Sequence, residues 1–326
     1  MRIIGEQDLR RVVREREAFE AVVRAFRALA EDRAEQPPPM AFDFPDCAGE
    51  VHIKGAAIRG APIFAVKIAS GFYRNPERGL PTSSGLVLVL SQTTGTPLAL
   101  LQDNAYLTEM RTAAAGALAV ELLTPRSTER MAVLGSGAQA RYQLRAIARV
   151  RTLRSVIVWS PTRAHAERYC AEMREELGIP CSAAAGATEA VRDAHLVLTV
   201  TSARDPIVRV DDVLGNATLI AVGSDGPAKQ ELDEKILAKA DKIVVDRRSQ
   251  CAALGELHHA MVAGLVREED VYAELGDIVV GRKAGREADE LIVCDLTGVG
   301  VQDAAIAETA WRALTNPDAP GSAGTI

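Results

Sequence analysis

Three groups of residues in this 326-residue chain have types and spacings that could do chemistry. The first is Gly135-Ser136-Gly137-Ala138-Gln139-Ala140, a G-x-G-x-x-A run. It directly follows an expected buried strand, Met131–Leu134, and opens an expected helix. In that context Gly135 permits the tight turn, Gly137 lets a pyrophosphate approach the backbone, and Ala140 lets the helix pack close to the strand. The N–H groups at the helix start then face the phosphate anion. The second group ends the next expected strand, Ser155–Trp159, where a site reading an unmodified ribose usually places an acid. No Asp or Glu occurs from Thr152 to Ala166; Ser160-Pro161-Thr162-Arg163 stands there instead. Two hydroxyls and a guanidinium suit a 2′-phosphate, which favours NADP(H) over NAD(H). The bland alternative is an Arg163 that is simply an exposed first-turn residue. The third is Lys67, a cation inside the apolar run Phe64–Ala69, where burial is costly without an anionic partner.

Other chemistry-bearing residues read more plainly. His258-His259 lacks a third ligand at sensible spacing and reads as a helix-surface pair rather than a metal site, and His52, His165 and His195 are isolated. Cys47, Cys170, Cys181, Cys251 and Cys294 are odd in number, far apart and without a CxxC, which argues against a disulfide framework or a zinc site. They read as thiols in a reducing compartment. The basic stretch Arg10–Arg16 is interrupted by Glu15 and reads as a solvated helix face.

Two kinds of element must position these residues. Residues 1–35 open with a short apolar piece and continue as a helix, with Phe19, Val22, Val23, Phe26 and Leu29 at helical spacing, ended by Pro37-Pro38-Pro39. From Met40 to Leu101, β-type runs (Glu50–Ile53, Ile63–Ala69, Leu86–Leu90, Leu98–Leu101) separated by turn signals predict a mainly antiparallel sheet. Tyr106–Leu123 reads as a long Ala-rich helix. Residues 129–300 alternate strand and helix, with further strands at Leu196–Val200, Ala217–Val222 and Lys242–Val245, which predicts a parallel α/β sheet. The tail, 316–326, reads as frayed.

Composition agrees with an ordinary globular chain: 48% hydrophobic, 25% charged, and a net charge of −6 that argues against a nucleic-acid partner. No apolar run reaches the ~18 residues of a membrane span, and the N-terminus has no apolar leader, so the expectation is a soluble, cytoplasmic protein.

In their order along the chain, several segments resemble the ornithine cyclodeaminase / μ-crystallin family. They are Lys67–Gly71 with Gly79–Thr82, Glu109–Ala115, Gly135–Gln139, Val222–Leu232, Glu274–Asp277 and Thr297–Gly300. The stretches Gly49–Lys54 and Gly71–Pro76 look like cyclodeaminase-like proteins of ectoine-degradation operons, whereas Ala221–Leu232 is similar to the archaeal alanine dehydrogenase branch. The resemblance implies a Rossmann domain over 123–300. It also implies an α+β N-terminal domain over 1–122, which dimerises through its sheet and is completed by the returning segment 301–326. The active site is implied to lie between the two.

The resemblance further implies hydride transfer at an amino-acid Cα–N bond. Lys67 and Arg111 match the positions that hold the substrate carboxylate, a role suited to a bidentate guanidinium and an ammonium point charge. By itself, an Arg in an Ala-rich helix reads as facing solvent. Asp225 matches the catalytic acid/base, with Lys67 beside it in the catalytic set; an Asx-turn or helix cap would also explain an Asp in that context. Thr82, Arg111, Gly135, Gly137, Ala138, Gln139, Ser160, Thr162, Arg163, Thr201, Val222 and Lys229 are the expected cofactor contacts. Thr297 lines the substrate pocket. Ornithine-specific relatives hold the distal amine with a glutamate, and Lys54 falls at that place, where a cation repels a second ammonium and could attract a second carboxylate. Otherwise Lys54 reads as an exposed strand residue. A further carboxylate-binding Arg of the family is not evident around Met40–Asp43.

The leading expectation is an NADP(H)-dependent imine reductase or amino-acid dehydrogenase acting on a small amino or imino acid, assembled as a homodimer. The alternatives are a cyclodeaminase-type ammonia-lyase with bound NAD, and a non-catalytic NADPH-binding protein, since μ-crystallin-like members also bind small hormone ligands.

Overall fold

The computed structural model describes residues 1–315; the expectation for the tail falls outside them. The chain opens with β1 (Arg2–Gly5), α1 (Glu6–Val12) and α2 (Glu15–Ala30). Helix α2 buries Ala18, Ala21, Val22, Ala25, Phe26 and Leu29 on one stripe, each large side chain contributing about 1.5–3 kcal/mol. Its end comes well before Pro37: Asp32 takes a left-handed φ of 52°, and β2 (Ala34–Glu35) pairs with β4. The basic residues before it form exposed pairs with acids one turn away, Arg10 with Glu6 and Arg16 with Glu20.

Strands β3 (Met40–Phe44), β4 (Gly49–Ile58), β5 (Ile63–Phe72), β6 (Ser83–Ser91) and β7 (Pro97–Gln102) follow. The sheet order is β1-β7-β6-β5-β4-β2, with β3 also on β4. Every pairing is antiparallel except β1 on β7. Helix α3 (Tyr106–Leu123) leads out of this sheet.

The second sheet is built from β8 (Arg130–Leu134), α4 (Ala138–Val150), β9 (Ser155–Trp159), α5 (Arg163–Leu177), β10 (Cys181–Ala183), α6 (Ala187–Val191), β11 (Leu196–Thr199) and β12 (Thr218–Ala221). Then come α7 (Glu234–Lys239), β13 (Lys242–Val245), α8 (Arg248–Cys251), α9 (Glu256–Val262), β14 (Ala273–Glu274), α10 (Leu275–Val279) and β15 (Ile292–Asp295). Its order is β10-β9-β8-β11-β12-β15-β13-β14, parallel throughout. Strand order reverses between β8 and β11, the place where a doubly wound sheet binds a dinucleotide.

Helix α11 (Gly300–Thr315) returns to the first sheet and packs with α2 on its inner face. The approach is close: a Cβ on Gly300 would lie 2.7 Å from the Gly55 carbonyl oxygen of β4. The two compact units are Met1–Arg111 with the chain from Val299 onward, and Thr112–Gly298, so the division falls inside α3. Among the described residues no helix is long and apolar enough to cross a membrane.

Candidate functional site

In the first unit, strand parity gathers the cations. Lys54 stands directly opposite Lys67 across β4 and β5, on the face that also carries the buried Ala56, Ala65 and Ile63. Like charges in register repel, and both ammoniums are buried, at 5% and 2% exposure. Lys54 is therefore not the exposed strand residue that its sequence context allowed. Arg111, far from facing solvent, is also 5% exposed.

The first turn of α11 meets this cluster. Asp303 pairs with the Lys67 ammonium at 3.0 Å and accepts from Arg111 Nε at 3.0 Å. Arg111 also donates to the Gln302 side-chain oxygen at 3.1 Å. Burial, reinforced by Arg111 and Lys54, pushes the Lys67 ammonium down to about 7 despite Asp303. The positive neighbours Lys67, Arg111 and Lys54 outweigh burial at Asp303 and hold its carboxyl below the usual range. Asp303 and Gln302 were not singled out from sequence; their link to Arg111 spans some 190 positions, which no local pattern carries. Thr82 lies apart from this cluster, in the loop before β6, where its carbonyl accepts the Phe72 N–H at 2.8 Å.

In the second unit, the glycine loop has the shape a phosphate needs. Gly135 has φ of 118°, and a Cβ there would lie 2.6 Å from the Val200 carbonyl oxygen, so both conformation and space require glycine. A Cβ on Gly137 would meet nothing within 4 Å. Gly137 and Ala138 are exposed, and α4 starts at Ala138 with no side chain capping it. Its first N–H groups are thus offered outward at the positive end of the helix. Arg141, one turn on, donates to the Ser136 and Gly137 carbonyls at 2.6 and 3.0 Å and to Glu172 at 2.7 Å. This brace on the loop was also not read from sequence. These features fit a dinucleotide pyrophosphate.

Ser160, Thr162 and Arg163 follow β9. Ser160 is half-buried and the other two are exposed. Arg163 is paired with Glu167 at 2.8 Å, one turn along α5. Thr201 and Val222 follow β11 and β12 at the same edge of the sheet as the glycine loop. Asp225 accepts from the Lys229 ammonium at 2.7 Å, and its side chain is one-third exposed. Thr297 is 2% exposed; its hydroxyl donates to Asp246 at 3.0 Å and accepts from Gln250 at 2.8 Å. His258 and His259 face the carbonyls of Ala252 and Lys229 at 3.0 and 2.8 Å. So the structure gathers Lys54, Lys67 and Arg111 in one unit. In the other it gathers the glycine loop with the loops of Thr201 and Val222.

An uncharacterized cyclodeaminase of Sinorhizobium fredii is 41% identical over 315 residues, covering 96% of this chain and 95% of that protein. Among solved structures, Thermococcus litoralis Δ1-pyrroline-2-carboxylate reductase, in complex with NADH and L-proline, is 29% identical. It matches 96% of this chain and 97% of its own, with a TM-score of 0.90. An archaeal alanine dehydrogenase dimer with bound NAD is 34% identical and matches 96% of this chain and 95% of its own, with a TM-score of 0.88. The sequence description of the ornithine cyclodeaminase/mu-crystallin family matches residues 6–315, and the chain belongs to that family.

Proposed function

We propose that this protein is an NADP(H)-dependent oxidoreductase acting at the Cα–N bond of a carboxylate-bearing amino or imino acid, working as an imine reductase. The observation that carries this reading is the buried cation cluster of Lys54, Lys67 and Arg111 around Asp303. Such a cluster is stabilised by a further anion, and a planar carboxylate is the anion a guanidinium and an ammonium orient best. Lys67 and Arg111 hold the substrate carboxylate, Asp225 moves the proton at the substrate nitrogen, and Thr297 lines the pocket. Gly135, Gly137, Ala138, Gln139, Thr201, Val222 and Lys229 hold the dinucleotide, together with Thr82 and Arg111. When bound, the dinucleotide supplies or accepts the hydride.

Support for NADP(H) comes from the half-buried Ser160 and the exposed Thr162 and Arg163, in a stretch with no acid from Thr152 to Ala166. The Arg163–Glu167 pair is exposed, so little is lost when the guanidinium turns to a phosphate. The second reading, cyclodeamination, draws on the name of the Sinorhizobium relative. Against it stands the buried Lys54, whose charge opposes a distal ammonium.

The test is dinucleotide consumption by the purified protein, NADPH beside NADH, with cyclic imino acids and with 2-oxo acids plus ammonia or methylamine. NADPH turnover is expected, and Arg163→Ser should lower kcat/KM for NADPH about tenfold or more while sparing NADH. NADH-only turnover would overturn the 2′-phosphate reading. Ammonia release from ornithine without net dinucleotide consumption would support the cyclodeaminase.

We further infer a homodimer through the outer face of the first sheet. On that face Met40, Ile53, Ile68 and Leu86 stand in register, beside Leu88, Leu100 and Ile3. Ile3, Met40 and Ile68 are 66%, 57% and 39% exposed. A continuous apolar sheet face of this kind marks an interaction surface, and the archaeal relative is described as a dimer. Ile68→Glu should shift the protein from dimer to monomer in light scattering after size exclusion; an unchanged dimer would place the interface elsewhere.

A further inference from the structure

The loops after β11 and β12 are tied together by a buried acid, Glu231. It is 0% exposed. One carboxylate oxygen accepts the Thr201 N–H at 2.5 Å and the Thr201 hydroxyl at 2.8 Å. The other accepts the Gly223 N–H at 2.9 Å. The Thr201 hydroxyl itself accepts from the Ala203 N–H at 3.2 Å, so its proton points to Glu231. All of these contacts are donors, and only a carboxylate satisfies them together.

The clamp is tight. A Cβ on Gly223 would lie 2.1 Å from the Thr201 carbonyl oxygen and 2.6 Å from the Glu231 carboxylate, so the two loops meet at a position only glycine can fill. Glu231 is in turn held by Glu256, which accepts the N–H groups of Glu231 and Leu232 at 2.8 and 3.1 Å. The loops so joined carry Thr201 and Val222, and Asp225 follows Gly223 by two positions.

We propose that ionised Glu231 is a positioning residue that holds the β11 and β12 loops in the shape that accepts the dinucleotide. This rests on the dinucleotide reading above. Glu231 does not touch the dinucleotide; it acts through Thr201 and Gly223. The titratable groups facing it are Glu256 and, behind Glu256, Asp295. Burial pushes the Glu231 carboxyl up to about 7, against the donors that lower it. A proton arriving as pH falls must sit on an oxygen already facing a donor, so the clamp loosens on the acid side of neutrality.

The experiment titrates NADPH and NADH into the intact wild type, Glu231→Gln, Glu231→Asp and Thr201→Val, following nicotinamide fluorescence at about pH 6 and about pH 8.5. Wild-type affinity is expected to weaken from the higher pH to the lower. The isosteric Glu231→Gln turns an NH2 against a donor and should raise Kd about tenfold at the higher pH, with no pH dependence left. Its kcat at saturating dinucleotide should stay close to wild type, a split that general loss of structure would not give. Glu231→Asp, too short to span both loops, should restore the pH dependence but only part of the affinity. Thr201→Val removes the hydroxyl that donates to Glu231 and accepts from Ala203 but leaves Glu231 ionisable. It should keep the wild-type direction of pH dependence, and it decides the matter by that readout if Glu231→Gln does not fold, a pH-independent Kd overturning the assignment. Wild-type Kd with Glu231→Gln, or a loss of kcat alone, would overturn the assignment of Glu231 and leave the dinucleotide reading standing. A wild type that binds neither dinucleotide would overturn both.

Discussion

Replacing Asp225 by Asn is expected to lower kcat for imine reduction by about 10²–10⁴-fold, the usual worth of a positioned proton carrier. Dinucleotide affinity should change little. Asp225 is not a buried structural carboxylate, since a third of its side chain is open to solvent. Yet it is held, by the Lys229 ammonium at 2.7 Å. Lys229 is fixed in turn through its backbone: its N–H donates to Gly226 at 3.0 Å, and its carbonyl receives the Ser224 hydroxyl and His259. The arrangement aims an accessible carboxylate from a short, braced turn. Asn keeps the shape and can still accept from Lys229, but it cannot take up or give a proton at neutral pH. Steady-state and single-turnover rates with a good imine substrate check this. Undiminished turnover would remove Asp225 from the proton pathway and leave it a turn residue. Lys229→Met serves as a second probe: it frees Asp225 from its anchor and should cost less than Asp225→Asn.

Much of the second unit was legible because its signals are local. The G-x-G-x-x-A run, the strand before it and the helix after it lie within about twenty residues, and buried parallel strands read as short apolar runs. Strands β10 and β14, at three and two residues, are too short to show a period. Strand β15, Ile292–Asp295, has only three apolar residues before its closing acid, and its partners, β12 and β13, come far earlier. In the first unit, the antiparallel strands were readable from alternation, whereas parallel β1 depends on β7, nearly a hundred residues away. Lys67 showed itself as a charge in an apolar run. Lys54 did so only through its match to a family position, although its parity with Ala56 already places it on the inner face. Glu231 lay inside the family-matching segment Val222–Leu232 with no role of its own to read, and Asp303 left no local mark. A buried acid has the same letter as a surface one, and what makes each matter is a contact made by folding.

Asp303 carries the second large effect. Asp303→Asn should destabilise the protein by about 3–5 kcal/mol, the cost of leaving buried charge uncompensated. Lys67, Arg111 and Lys54 all bear on this 3% exposed carboxylate, and Asn keeps its volume while removing its charge. The loss then measures electrostatics rather than a cavity. Urea unfolding of both proteins reads it, and equal stability within about 1 kcal/mol would show that the cations do not depend on Asp303. Two linked observations separate this from a generic loss of packing. A small carboxylate such as acetate should raise the stability of Asp303→Asn more than that of wild type, because a ligand stabilises whatever state binds it better. The pH dependence should also move. In its proposed role Lys67 binds a substrate carboxylate when protonated, and burial with Arg111 and Lys54 brings its ammonium down to about 7 while Asp303 raises it. In wild type, kcat/KM therefore falls as pH rises through about 7, since that ratio reports the free enzyme. Removing Asp303 takes away an upward influence, so the fall should begin at lower pH. A limb that stays in place would mean that Lys67 does not carry the carboxylate, and the cation cluster would then have to act through Arg111.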